Sequence, residues 1–148
     1  VIPQETGMHY LDRVETDWPF RIQMPRGFNV PFHCTASGKT FMASLSKSAR
    51  EKFIAGLSLK EHTQNTHTTA DSLLKNLKQN AKRGFALDEE EFVEGMVAAA
   101  VPVTDHKGRF VAALAVHGPK QRLSLAQAAA CVDCLHSAAD RLRHAIFT

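Results

Sequence analysis

The spacing of hydrophobic and polar residues divides the chain into amphipathic helices and short strands. Apolar residues recur three or four positions apart after Ser46, Thr69 and Ser124, and each of these residues is a good helix N-cap. Gly84 is suited to end the second of these helices, and Gln127 completes a capping box with Ser124. We expect the third helix to run to the C-terminus and to pack on a sheet.

Five stretches with alternating or continuous apolar residues predict strands. They cover residues 8–14, 20–24, 85–87, 96–103 and 109–116. We expect one hairpin across Glu15–Pro19 and another across Asp105–Gly108, because both connections are rich in turn residues. Strands joined by hairpins and mixed with helices predict an α+β fold, in which an antiparallel sheet is covered by helices.

The segment Pro31–Lys39 leads from an extended stretch into the first predicted helix, over about residues 38–45. A phosphate-binding loop would need a glycine five positions before the Gly-Lys-Thr of Gly38–Thr40, and that position is His33. Helix N-termini carry unpaired N–H groups and the positive end of the helix dipole. The backbone of Ala36–Gly38 is therefore predicted to bind a small carboxylate.

Composition fits an ordinary globular domain, with 148 residues, 44% hydrophobic residues, 22% charged residues and a net charge of +3. The longest apolar runs, such as Met96–Val103, are too short to cross a bilayer, so no membrane partner is expected. Val1–Glu5 lacks the features of a signal peptide, and there are only three cysteines. These observations predict a cytoplasmic protein, and the weak, dispersed charge predicts no nucleic-acid binding by this segment.

No cofactor, metal site or catalytic set is predicted. The histidines His62, His67, His106 and His117 show no metal-binding pair at helical spacing. Cys131 and Cys134 have the spacing of a redox motif but fall inside the last predicted helix, where buried core cysteines are expected instead. The acidic run that begins at Asp88 is typical of a solvated turn rather than of a general-acid cluster.

Several short motifs occur in an order that is informative as a set. They are Tyr10–Val14, Pro31–Lys39, Gly84–Glu91, Gly95, Ala99–Val103, Asp105, Gly108 and Gly118–Pro119. Their order and spacing resemble the C-terminal effector-binding domain of the IclR family of bacterial transcription regulators, over nearly the whole chain. The resemblance implies a GAF-like fold, with a curved antiparallel sheet, helices on its faces and a small-molecule pocket beneath the first helix.

The resemblance also implies the lining of that pocket. Carried over position by position, the effector-binding residues are Ile22, Val30, Ala36, Ser37, Asp88, Met96, Ala98, Ala115 and His117. The amides near Ala36 and Ser37 are the implied partners of an effector carboxylate. The family's sensors of small keto acids tend to have Cys, Ser and Ser at the last three positions. Alanines and a histidine instead favour an aromatic or largely apolar carboxylate, with His117 or Asp88 meeting a polar substituent.

The implied function is that of a sensor, not an enzyme, in which residues 1–148 form the effector-binding and oligomerisation domain. Self-association as a dimer or tetramer is implied, and DNA would be bound only through an N-terminal winged helix-turn-helix domain that this chain lacks. Two alternatives stay open at this point. One is a GAF-like thiol oxidoreductase that uses Cys34 with Cys131 or Cys134, and the other is a dimerisation domain with a vestigial pocket.

Overall fold

The structure is a computed structural model that describes residues 1–21 and 25–147. These residues form β1 (Ile2–Gln4), β2 (Gly7–His9), β3 (Asn29–Val30), α1 (Ala36–Ser44), α2 (Lys47–Ala55), α3 (Ala70–Arg83), β4 (Ala86–Glu89), β5 (Met96–Thr104), β6 (Phe110–Pro119), α4 (Leu125–Ala130) and α5 (Val132–Phe147). The predicted α+β class is confirmed. None of the described helices has the length and hydrophobicity that a membrane span requires.

The strands form two antiparallel sheets that meet at one edge. β5 lies between β4 and β6, while β2 lies between β1 and β3. The Val1 ammonium donates to the Ala113 carbonyl at 3.0 Å, and the Ala113 N–H donates to the Val1 carbonyl at 2.8 Å. This mutual exchange is the pattern of an antiparallel pair. It connects the residue before β1 to β6, so β1 lies next to β6 where the two sheets meet.

The second predicted hairpin is confirmed, and the first is wrong. β5 and β6 pair across the turn at residues 105–108, where Gly108 has a φ of 76°. The predicted strand 8–14 ends as β2 at His9, and its partners are β1, which was not predicted, and β3. Among the described residues, the predicted tight hairpin across Glu15–Pro19 is not formed, and a much longer connection joins β2 to β3. Within the predicted strand 20–24, Phe20 and Arg21 are not in a strand, and residues 22–24 lie outside the described residues.

The failure of the first hairpin has a physical reason. The apolar side chains that produced the alternating pattern, Leu11, Val14 and Phe20, are each more than half exposed, so the pattern does not mark a buried strand face. The backbone of Tyr10 pairs instead with the segment before β3. Its N–H donates to Phe28 at 3.1 Å, and its carbonyl accepts from Gly27 at 2.9 Å.

The helix caps match the sequence pattern closely. Ser46 and Thr69 cap α2 and α3, and Gly84 ends α3 in the left-handed conformation with a φ of 82°. Ser124 and Gln127 form both halves of the predicted capping box. The helix that follows is not continuous, however, because α4 ends at Ala130, Cys131 is its C-cap, and α5 begins at Val132. The prediction of a single C-terminal helix is wrong in this respect.

β5 is buried on both faces, which explains its nearly continuous apolar sequence. One face contributes Ala99, Val101 and Val103 to a cluster with α4 and α5. The other face lies under α1, where buried Ala36 packs with an alanine patch formed by Ala98, Ala100 and Ala115. Because these side chains are small, the first turn of α1 lies close to the middle of the sheet.

α1 begins at Ala36, two residues earlier than predicted, and its first turn contains a glycine in a crowded position. A methyl group on Gly38 would overlap the backbone of Phe32, in the extended segment that leads into the helix. The close approach of these two backbone segments requires a residue without a side chain. Gly38 therefore fixes the position of the helix start relative to the preceding turn.

We predict that Gly38→Ala lowers the free energy of unfolding by about 1–3 kcal/mol, because the added methyl must displace backbone. In an unobstructed helix the same change is stabilising. Gly56→Ala is the matched control, since a methyl group there meets only Phe53 at an ordinary 3.7 Å. Urea unfolding followed by circular dichroism measures both variants. Equal stability of Gly38→Ala and wild type would contradict the prediction.

Candidate functional site

Thr35 is the N-cap of α1 and stabilises the first turn of the helix. The Thr35 hydroxyl donates to the Pro31 carbonyl at 2.7 Å and accepts from the Gly38 N–H at 3.1 Å. The helical backbone ladder begins with the Lys39 N–H, which donates to the Thr35 carbonyl at 2.9 Å. The N–H groups of Ala36 and Ser37 precede that ladder, and neither has a hydrogen-bond acceptor in the part of the chain that the structure describes. Two amide donors are thus concentrated at the positive end of a helix dipole.

A small cavity lies at this helix end. Its lining contains Ala36, Ser37, Asp88, Met96, Ala98, Ala115 and His117, together with Tyr10, Thr35 and Phe92. Seven of the nine residues inferred from the resemblance therefore surround one space. Val30 is buried beside Met8, its partner across β2 and β3, and does not line the cavity. Ile22 lies outside the described residues.

Three lining residues are absent from the set inferred from the resemblance. Tyr10 and Thr35 fall inside two of the motifs that carried the resemblance, so their neighbourhood was signalled although their roles were not. Phe92 directly follows the acidic run at Asp88, and the chain turns back there before β5. Their approach to the cavity depends on contacts between distant parts of the chain. The local sequence carries no signal for such contacts.

Asp88 is the acidic residue that lines the cavity. The interpretation of its acidic run as a solvated turn is wrong for Asp88 and Glu91, because both are buried. The Asp88 side chain is 2% exposed, and its Oδ1 accepts from the Glu91 N–H at 2.8 Å. Burial raises the pKa of Asp88 to about 7, and the charge of Glu91 acts in the same direction, while the backbone hydrogen bonds from Glu91 and Phe92 oppose them. Near neutral pH the carboxyl is therefore poised between an acceptor and a hydrogen-bond donor.

His117 and Tyr10 supply the other polar groups. His117 lies on β6 opposite Ala98 on β5, and its buried Nδ1 has no hydrogen-bond partner among the described residues. Burial lowers the pKa of His117, so its ring is neutral near pH 7. Burial and then the charge of Asp88 raise the pKa of Tyr10 to about 12, so its hydroxyl keeps its proton. The two rings lie 6.1 Å apart between centroids.

A buried ion pair fixes α1 against the loop that follows Asp88. The Lys39 ammonium lies 2.7 Å from Oε2 and 2.9 Å from Oε1 of Glu91, and both side chains are buried. His67 Nε2 lies 3.2 Å from Glu91 Oε1. Burial alone would raise the pKa of Glu91, but His67 and Lys39 hold it below its ordinary value. The helix end and Asp88 are thus positioned by one charged network.

The cavity is almost filled by its own side chains. Its free volume is about 10 Å³, which is room for about one water molecule. Tyr10, Ala115 and His117 also line a larger groove of about 660 Å³, between the segment that contains residues 12–16 and strand β6. These three residues are therefore the shared wall between the cavity and the groove.

The cavity contains hydrogen-bond donors and apolar surface but no activated nucleophile. Cys34 lies next to it and has no exposed surface. Burial raises the pKa of the Cys34 thiol to about 12, and the charges of Asp88 and Glu91 add to this effect. A thiol that is buried and stays protonated in the free protein does not suit nucleophilic attack on a substrate, which argues against the oxidoreductase alternative. The arrangement is suited to binding an anion, and the cysteines Cys34, Cys131 and Cys134 are all free. The expectation that Cys131 and Cys134 are buried core residues inside the last helix is wrong, because Cys131 is the half-buried C-cap of α4 and Cys134 is exposed on α5.

One group of side chains beside the cavity has the chemistry of metal ligands. His33, Cys34 and His62 bring one ligand atom each to within 4.8 Å of one another, and this is the one such set found among the described residues. None of the three lines the cavity. His33 Nε2 lies 2.8 Å from the Lys60 carbonyl, a hydrogen bond that connects the turn before α1 to the segment between α2 and α3.

Comparison with known proteins agrees with this architecture. The family model described as "Bacterial transcriptional regulator IclR C-terminal" matches residues 2–144. The probable transcriptional regulator SauR of Cupriavidus necator is 41% identical over 133 residues, which are 90% of this chain and 53% of that protein. The structure of the Thermotoga maritima IclR protein superposes with a TM-score of 0.90 at 26% identity, covering 99% of this chain and 60% of that one.

A ligand complex is also among the similar structures. It is the inducer-binding domain of a double mutant of the PobR transcription factor from Acinetobacter, in complex with 3-hydroxybenzoic acid. That structure has a TM-score of 0.72 and 28% identity, and the match covers 80% of this chain and 70% of the other. The chain spans about half the length of the curated relatives it matches. It belongs to the IclR family of bacterial transcriptional regulators, as an effector-binding domain with the predicted GAF-like fold.

Proposed function

We propose that this domain senses a small carboxylate, which binds with its charged group at the start of α1 and thereby alters DNA binding by the full regulator. The observation that carries the proposal is the meeting of three kinds of group at one cavity: the amides of Ala36 and Ser37, the buried acid Asp88 and the unpartnered nitrogen of His117. Binding can regulate only if the effector has different affinities for two states of the regulator.

The walls of the cavity favour an aromatic or largely apolar acid. The positions on β5 and β6 that face it contribute Ala98 and Ala115, which offer no hydrogen bond to a small polar ligand. Met96 and Phe92 add apolar surface. A hydroxyl or similar substituent on the ring would be met by Asp88 or His117. The PobR inducer-binding domain in complex with 3-hydroxybenzoic acid is a relative with a ligand of this class.

A ligand of this size needs more room than the cavity offers in the present conformation. The shared wall of Tyr10, Ala115 and His117 separates it from the groove of about 660 Å³. We propose that the Tyr10 and His117 side chains turn away from each other when the effector binds, so that cavity and groove become one pocket. Such a change resembles the side-chain rotations that commonly accompany binding.

Self-association of the domain is supported by its surface. Leu11, Val14, Trp18 and Phe20 are large apolar residues, and each is more than half exposed. Their concentration in one segment is typical of an interaction site. We propose that this segment contributes to a dimer or tetramer in the bacterial cytoplasm. DNA contact would be made by a separate domain, consistent with relatives about twice as long as this chain.

We predict that benzoate and 3-hydroxybenzoate bind more tightly than glyoxylate and pyruvate, by at least about tenfold in Kd. A small keto acid would leave its oxygens without partners against Ala98 and Ala115. Isothermal titration calorimetry with the purified protein compares the four acids under one buffer condition. Tighter binding of the two short aliphatic acids would reject the proposed effector class.

We predict that effector affinity falls as pH rises above about 7. The bound carboxylate is negative and disfavours the ionised form of Asp88, whose pKa is about 7 in the free protein. Binding at higher pH must therefore take up a proton, which weakens it by up to about tenfold per pH unit. Below pH 7 the carboxyl is already protonated, so the affinity stays level.

Asp88→Asn is the matched variant for this measurement, because its amide oxygen can still accept from the Glu91 N–H. Its affinity is expected to be constant between about pH 6.5 and 8.5. His117 and Tyr10 do not make the affinity change with pH in this range, because the pKa of His117 is lowered and that of Tyr10 is about 12. The same slope in wild type and variant would show that Asp88 does not face the effector.

A further inference from the structure

Two segments that are far apart in sequence bring metal-ligand side chains together beside α1. His33 and Cys34 belong to the turn that precedes α1, and His62 belongs to the connection between α2 and α3. Their ligand atoms lie within 4.8 Å of one another. Tetrahedral coordination by sulfur and nitrogen places ligand atoms roughly 3.5 Å apart. His62 is the exposed member of the three, so its side chain has the most freedom to move towards the other two.

The hydrogen bond of His33 fixes which of its ring nitrogens carries the proton and which could bind a metal. A backbone carbonyl can only accept, so the Nε2 that lies 2.8 Å from the Lys60 carbonyl carries the proton. The lone pair of the neutral ring is therefore on Nδ1. Metal-binding histidines characteristically donate their other N–H to a carbonyl or carboxylate in this way. The bond also ties His33 to the same connection that carries His62.

The connection that carries His62 is itself anchored. The Thr66 hydroxyl accepts from the His62 N–H at 3.0 Å and donates to the Glu91 carbonyl at 2.7 Å. The His62 ring packs edge-on against Phe92, with 5.2 Å between centroids. The backbone of His62 is thus fixed, while its side chain is exposed to solvent.

We propose that His33, Cys34 and His62 form a zinc site with three protein ligands and one water. Thiolate and imidazole ligands select zinc over magnesium and calcium, which prefer oxygen. When zinc binds, it displaces the proton of the Cys34 thiol. A Zn–S bond replaces the S–H bond, and the proton is released to solvent. The site joins the α2–α3 connection to the turn that ends at the effector cavity. It involves none of the cavity residues, so it stands independently of the proposed effector.

The test uses the purified protein after chelator treatment and buffer exchange, titrated with Zn²⁺ by calorimetry and with Co²⁺ by absorption spectroscopy. We expect one metal ion per chain and a thiolate-to-cobalt charge-transfer band in the near ultraviolet. Cys34→Ser is expected to remove that band. His62→Ala is expected to lower zinc affinity by more than about tenfold. Because His62 is exposed, its replacement does not disturb the core.

Two matched controls leave the site intact. Cys134→Ser removes an exposed thiol and His106→Ala removes an exposed imidazole, and both variants should bind metal like the wild type. Absence of a cobalt–thiolate band in the wild type would overturn the proposal. So would unchanged metal binding in His62→Ala, since it would assign the metal to other groups. Circular dichroism establishes that each variant is folded, and if Cys34→Ser is not, His62→Ala decides the outcome.

Discussion

The close packing of the first turn of α1 on the alanine patch determines the position of the groups that line the cavity. Gly38 lets the turn approach the backbone of Phe32, and the Thr40 hydroxyl donates to the Ala100 carbonyl at 3.2 Å. From the same turn, Lys39 reaches Glu91 in a buried ion pair. A buried pair adds little net stability over an apolar replacement, but the loss of one partner is costly. The pair therefore sets position more than it adds stability.

The functional groups of the cavity come from elements that this packing holds together. α1 supplies amide donors, β4 supplies Asp88, and β6 supplies His117. The same small side chains that allow the helix to approach the sheet also make the cavity apolar and narrow. The proposed binding specificity is thus linked to fold stability, because larger residues on β5 or β6 would change both at once. The ion pair between Lys39 and Glu91 also connects α1 to the loop that positions Asp88.

Features that depend on neighbouring residues were readable from the sequence, and those that depend on distant ones were not. The caps at Ser46, Thr69 and Ser124, and the hairpin between β5 and β6, follow from local chemistry. The N-terminal strands were mispredicted because exposed apolar residues mimicked a strand pattern. Seven of the nine proposed site residues line the cavity, and these residues were inferred from a whole set of motifs rather than from a single one. His62 and Cys34 are 28 residues apart in the sequence, and no spacing pattern indicates that they lie close together.

The proposed function requires the N–H groups at the start of α1 to bind the effector's carboxylate. Amide ¹H–¹⁵N NMR spectra of the domain, recorded during titration with 3-hydroxybenzoate, measure this directly. We predict that the amides of Ala36 and Ser37 shift most, with smaller changes at Asp88 and His117. Shifts confined to the outer groove, at residues 12–16, with Ala36 and Ser37 unaffected, would contradict it.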